Sequence, residues 1–171
     1  NERSDCLSGI KYISDRLGKG QRIILVGVSM GAATVLMAGG LDLPDNVVGI
    51  IADCGYTSPK EIIKKVIRDM HLPAGITYFF AHCGARIFGR FDVDAAGAEE
   101  ALRHCRVPVL FIHGDEDYFV PVEMTKKNFA ACASKKQLLI VHGAGHALSY
   151  LVDENAYIAA ERKFIADILP Q

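Results

Sequence analysis

Arg22-Ile23-Ile24-Leu25-Val26-Gly27-Val28-Ser29-Met30-Gly31-Ala32-Ala33 is the stretch on which the fold turns. From Ile23 to Leu41 the chain runs nineteen positions without a charge. That is long enough for a transmembrane helix, and Gly27-x-x-x-Gly31 even has the spacing of a helix-pairing motif. The rival reading breaks the run into three pieces. Ile23 to Val26 is a short buried strand, Gly27 to Gly31 a turn, and Ala32 to Ala38 a helix stopped by Gly39-Gly40. Four glycines and a serine make a poor membrane span. Gly27-Val28-Ser29-Met30-Gly31 also fits G-x-S-x-G, in which a serine sits on a sharp strand-to-helix turn. Such a turn is strained, so the positions two before and two after the serine are expected to lack bulk, as Gly27 and Gly31 do. The Ser29 hydroxyl then projects from the carboxyl end of a sheet. The Met30 N–H, at the helix start, is placed to face a developing oxyanion.

Working outward, the same alternation repeats. Leu7, Ile10, Ile13 and Leu17 predict an amphipathic helix over residues 4–17. Val47 to Ala52 is a second buried strand, ending at Asp53. Pro59 opens a helix running to about Met70. Ile76 to Phe88 and Ala98 to His104 are read as further helices. Val109 to Ile112 and Leu138 to Val141 are a third and a fourth strand, with a helix around Phe129 between them. A last helix covers about Asp153 to Leu169, with Tyr157, Ile158, Phe164, Ile165 and Ile168 assigned to one face. Short continuous apolar strands alternating with helices call for a mostly parallel sheet covered on both faces, an α/β fold in one domain.

Composition agrees. Half of the 171 residues are apolar and 23% are charged, so a packed core is accessible and disorder is excluded. The formal net charge of −1 gives no basic surplus for nucleic acid. Cys6, Cys54, Cys83, Cys105 and Cys132 are odd in number and form no C-x-x-C, which removes zinc-ribbon and redox-pair readings and fits a reducing, cytoplasmic compartment. The sequence opens without Met or a signal peptide, directly before a helix, so an N-terminal portion is expected to precede it.

A serine nucleophile needs a base, and the base needs an acid to orient it. His113-Gly114-Asp115-Glu116-Asp117-Tyr118-Phe119-Val120-Pro121 follows the third strand, and Gly143-Ala144-Gly145-His146 follows the fourth. Both lie at the edge where Ser29 should emerge. For the acid, Asp117 competes with Asp115, Glu116 and Asp53. For the base, His146 competes with His142, His113, His82, His104 and His71. His142 and His146 have an i, i+4 spacing but flank loop glycines rather than lying on a helix, so no metal is expected.

These three motifs, G-V-S-M-G, H-G-D-E-D-Y-F-V-P and G-A-G-H in that order, resemble the α/β-hydrolase superfamily, closest to bacterial serine hydrolases related to esterases and prolyl-oligopeptidase-type peptidases. The resemblance implies Ser29 as nucleophile, Asp117 as triad acid, His146 as base and Met30 as an oxyanion-hole donor, with no organic cofactor. His113 is expected to be structural. It also implies that the N-terminal strands of the fold are absent from this stretch, that residues 57–104 form a small helical cap, and that no H-G-G-G motif supplies a second oxyanion donor. Tyr78, Phe79, Phe80, Phe88 and Phe91 either line an acyl pocket there or pack the cap on the core.

The expected activity is hydrolysis of a carboxylic ester or related small-molecule acyl substrate. Peptidase or acyltransferase chemistry fits the same residues. A reading from another class is a catalytically silent fragment acting as an assembly module. The strand Ile23 to Val26, apolar on both faces, would be a free edge, so self-association or a missing N-terminal segment as partner is expected.

Overall fold

The computed structural model describes residues 2–18, 20–95 and 97–169. The chain folds as α1 (Glu2–Leu17), β1 (Ile23–Val28), α2 (Met30–Ala38), β2 (Val47–Asp53), α3 (Pro59–Asp69), α4 (Ala74–Gly84), a π-helical turn (Ala85–Gly89), α5 (Ala98–Leu102), β3 (Val109–Gly114), α6 (Val122–Ala131), β4 (Lys136–Val141), α7 (Ser149–Val152) and α8 (Glu154–Ile168). The four strands form one parallel sheet in the order β1-β2-β3-β4. The apolar run from Ile23 is therefore strand, turn and helix. Among the described residues no helix is long and apolar enough to cross a membrane.

Alternation along the strands sorts the core into two layers. Leu25, Ile50, Ala52, Val109 and Phe111 meet Val35, Leu36, Leu102 and Cys132 on one face of the sheet, with Ile10 of α1 joining them. Ile51, Leu110 and Ile112 meet Tyr157 and Phe164 of α8 on the other. Gly49 lies under α8, where a Cβ would stand 2.6 Å from Ile168 Cδ1. The central strand β3 is buried along its whole length, as a parallel strand covered on both faces must be.

Two helical expectations shift by part of a turn, and a third changes its helix type partway. In α1 the inward line is Ile10 and Ser14, with Leu7 half-buried, while Ile13 and Leu17 face solvent. Ser14 Oγ accepts a hydrogen bond from Asn46 Nδ2 at 2.9 Å, a polar reason for turning inward that hydrophobic spacing does not register. In α8, Tyr157 and Phe164, seven residues apart, are buried, and Ile165 is rotated out of that line. The helix read over Ile76 to Phe88 is α4 followed by the π-helical turn.

Within residues 57–104, α5 belongs to the core, since Ala98 and Leu102 are fully buried. The portion that stands off the sheet is α3, α4 and the π-helical turn, and α4 buries no residue completely. Packing of the aromatic residues onto the core is overturned for three of them. Phe79, Phe80 and Phe88 are mostly exposed, because the inner side of α4 is held by polar contacts instead.

β1 lies at the sheet edge, as expected. The register pairs Val26 with Ile51 and Val28 with Asp53, on the α8 side. α8 does not reach that far: Val26 is 59% exposed and Val28 47%. α1 packs on α2 rather than along this edge.

Candidate active site

All the chemistry-bearing loops leave the carboxyl ends of the parallel strands, where such folds place their sites. Ser29 follows β1 directly and has φ 53° and ψ −113°. A left-handed φ at a residue with a Cβ costs on the order of 1–3 kcal/mol, so the neighbours must hold it. The Ser29 N–H donates to Asp53 O at 2.8 Å, and Ser29 O accepts from Ala33 N at 3.0 Å. A Cβ on Gly27 would stand 2.3 Å from Gly31 O, so glycine is required there. Gly31 differs from its expectation: a Cβ at that position meets nothing within 4 Å. The strain of the turn is relieved on its strand side alone. Cys54 (φ 49°) and Ala147 (φ 58°) are strained in the same way, one after β2 and one beside His146.

His146 lies between the other two expected residues. Its Nε2 is 2.9 Å from Ser29 Oγ, and its Nδ1 is 2.7 Å from Asp117 Oδ2. Because the Asp117 carboxylate accepts only, Nδ1 carries the proton, which leaves Nε2 free to accept from the Ser29 hydroxyl. Asp117 is buried and its other oxygen, Oδ1, accepts from the N–H groups of Phe119 (2.9 Å) and Val120 (2.8 Å). The Phe119 ring lies edge-on to the imidazole, with centroids 5.0 Å apart.

His113 completes the surroundings of Asp117. It is fully buried, and that burial pushes its imidazole below the usual histidine range, keeping it neutral. Its Nε2 faces two acceptors, Val120 O at 2.8 Å and Asp117 Oδ2 at 3.2 Å, so the proton sits there. Nδ1 then accepts from the Thr125 hydroxyl at 2.6 Å. His113 thus supports the loop that carries Asp117, as expected of it.

The competing residues have other work. Asp115 Oδ1 accepts from Gly143 N at 2.7 Å, and Oδ2 pairs with His142 Nδ1 at 2.6 Å, which ties the loop after β3 to the loop after β4. Those loops touch so closely that a Cβ on Gly114 would fall 2.1 Å from Ala144 O. The Glu116 side chain faces solvent. Asp53 points to the α8 side, where Ser149 Oγ donates to it at 3.3 Å. Burial raises its carboxyl to about 6, opposed by hydrogen bonds from Ser149 and Tyr157. His82 lies beside Asp94, and His104 beside Glu100.

Cys54 was not singled out from the sequence as a site residue, since nothing in its surroundings marks it. Its Sγ, the Asp117 carboxylate and a His146 nitrogen all lie within 4.8 Å of one another. Burial pushes its thiol up to about 12, so it is neither a thiolate nucleophile nor a ready metal ligand. His82, Asp92 and Asp94 form a second group of potential ligands, but the Lys60 ammonium already stands 3.1 Å from Asp94 Oδ1. Beside Met30 opens a cavity of about 460 Å³, with Thr34, Met37, Tyr56, Ile63 and Phe91 in its wall.

Similar proteins agree with this architecture. A Bacillus subtilis protein, the uncharacterized YqkD, is 25% identical over 165 residues, covering 96% of this chain and 54% of its own. The chain therefore spans about half the length of that relative. Among solved structures, an esterase from Pyrococcus furiosus superposes with a TM-score of 0.68 at 20% identity, over 96% of this chain and 60% of that one. The acylaminoacyl peptidase of Pyrococcus horikoshii does so with a TM-score of 0.68 at 15% identity, over 99% of this chain and 28% of that one. Both likenesses concern the fold. The sequence pattern of the prolyl oligopeptidase family matches residues 1–171. The chain belongs to the prolyl oligopeptidase family and has the α/β-hydrolase fold.

Proposed function

We propose that this chain supplies the catalytic residues of a serine hydrolase that cleaves carboxylic esters or related acyl compounds through an acyl-enzyme. The observation that carries the reading is the unbroken relay Ser29 Oγ to His146 to Asp117, at 2.9 and 2.7 Å. Ser29 attacks the carbonyl carbon while His146 Nε2 takes its proton. His146 returns that proton to the leaving group, and water repeats the sequence on the ester of Ser29. Asp117 holds the productive tautomer and faces the imidazolium as it forms. The Met30 N–H, at the first position of α2, has no intrahelical partner and is offered to the oxyanion.

The segment containing α3, α4 and the π-helical turn is assigned here as a cap over this edge. The cavity between Met30 and Phe91 is offered as the acyl pocket. Of the aromatic residues considered for that pocket, Phe91 alone borders it. Peptide-bond cleavage is the second reading, favoured by the family match.

The experiment compares an activated short-chain ester with an aminoacyl anilide as substrates, in this chain and in a longer protein containing it. Ester turnover that falls to background in His146→Ala supports the proposal. Ester turnover unchanged by His146→Ala contradicts it, and turnover of the anilide alone favours the peptidase reading.

A further inference from the structure

The segment after α3 turns an apolar stripe to solvent. Ile76, Phe79, Phe80 and Ile87 recur at the spacing of one helix face, and Phe88 extends it along the π-helical turn. Such a stripe ordinarily packs into a core. Here those five residues are 66, 62, 68, 69 and 87% exposed. The opposite side is where the segment is fastened. Tyr78 OH donates to Asp94 at 2.6 Å, His82 Nδ1 lies 3.2 Å from Asp94 Oδ2, and the Lys64 ammonium sits 5.1 Å from the centroid of the Tyr78 ring. Rolling α4 to bury its aromatic face would break all three contacts, so the outward stripe is a fixed feature of the fold.

Its fringe is basic. Between Lys60 and Asp94 six basic residues, Lys60, Lys64, Lys65, Arg68, Arg86 and Arg90, stand against Glu61, Asp69, Asp92 and Asp94, with Lys60 paired to Asp94 and Lys65 to Asp69. Arg68, Arg86 and Arg90 are exposed, and among the described residues none of them forms an ion pair. An aromatic and aliphatic face bordered by unneutralised arginines complements hydrocarbon lying beneath anionic headgroups. A second copy of the chain would bring the same arginines against one another, a like-charge juxtaposition that disfavours pairing.

We propose that residues 70–91 dock this protein on an anionic lipid surface. Phe79, Phe80, Ile87 and Phe88 enter the interfacial region, and Arg68 and Arg86 meet the phosphates. The docking rests on this surface alone and is independent of the reaction proposed above.

Flotation of the full chain with vesicles tests it, using phosphatidylcholine alone and phosphatidylcholine mixed in equal parts with phosphatidylglycerol. The wild type should float with the mixed vesicles and at least about tenfold less with phosphatidylcholine alone. About 1 M salt, where screening shortens to ~3 Å, should weaken the binding. Phe79→Ser/Phe80→Ser/Phe88→Ser and, separately, Arg68→Ala/Arg86→Ala should each lower it about tenfold with an unchanged Tm, since these side chains are exposed. No flotation of the wild type with mixed vesicles overturns the proposal. So does flotation equal in wild type and both variants. A dimer that the triple variant abolishes, in a protein that ignores lipid, assigns the stripe to a second copy instead.

Discussion

Two side chains near His146 could attack a carbonyl, and their surroundings separate them. The Ser29 hydroxyl is hydrogen-bonded to His146 at 2.9 Å, whereas the Cys54 thiol is pushed up to about 12 and stays protonated. The same reasoning separates two carboxylates. Asp117 meets His146, while Asp53 is turned toward Ser149. Asp117→Asn should lower ester turnover by about 10⁴-fold, because an amide no longer fixes the imidazole tautomer. Asp53→Asn should cost far less, and initial rates on one activated ester rank the two. A reversed ranking would place the acid after β2.

Asp53 has a second consequence, visible in stability. Its folded-state carboxyl titrates at about 6, above the ordinary value of 3.8. Between those values the folded protein holds a proton that the unfolded chain has lost. Stability therefore falls as pH rises from about 4 to 6, by roughly 3 kcal/mol, and the loss is complete above 6. Chemical denaturation across that window should show the slope in the wild type and a flatter curve in Asp53→Asn. An unchanged slope would mean that Asp53 is ionised in the fold without penalty.

At the scale of elements, the three residues of the candidate site could be proposed from sequence because each sits in a short turn motif at a strand end. Ser29, Asp117 and His146 stand in motifs of five, nine and four residues. The links between elements could not be proposed in that way. Nothing local tells that Asp115 ties to Gly143, that Ser149 reaches Asp53, or that Cys54 lies beside His146. Nor does spacing say which way a stripe faces. Ile10 and Ile76 lie in similar patterns, yet one is buried and the other exposed, because Asp94 fastens the polar side of α4.

The two glycines of the elbow show the same limit, since sequence treated them alike. Gly27→Ala should cost about 1–3 kcal/mol, because backbone blocks its Cβ. Gly31→Ala should be neutral or stabilising by up to about 1 kcal/mol, since it removes a glycine from α2 into open space. Thermal unfolding of both variants distinguishes them; equal losses would mean that the turn is tighter around Gly31 than its geometry shows.

At the scale of the whole molecule, the aromatic stripe of α4 and β1, with Val26 and Val28, are among the exposed apolar surfaces of the described residues. An apolar edge strand is a template for another chain. As a separate 171-residue polypeptide, the protein should therefore self-associate through β1. Light scattering at micromolar concentration checks this, and Val26→Lys should restore the monomer. A monomer in the wild type would show that the edge is tolerated as it stands.

The central claim is that the three loops at one sheet edge make Ser29 a nucleophile. Active-site labelling with a fluorophosphonate, read by mass spectrometry of the digested protein, tests it most directly. The adduct should map to Ser29, vanish in Ser29→Ala and drop sharply in His146→Ala. Labelling that persists in Ser29→Ala, or an adduct on any other residue of the wild type, would contradict it.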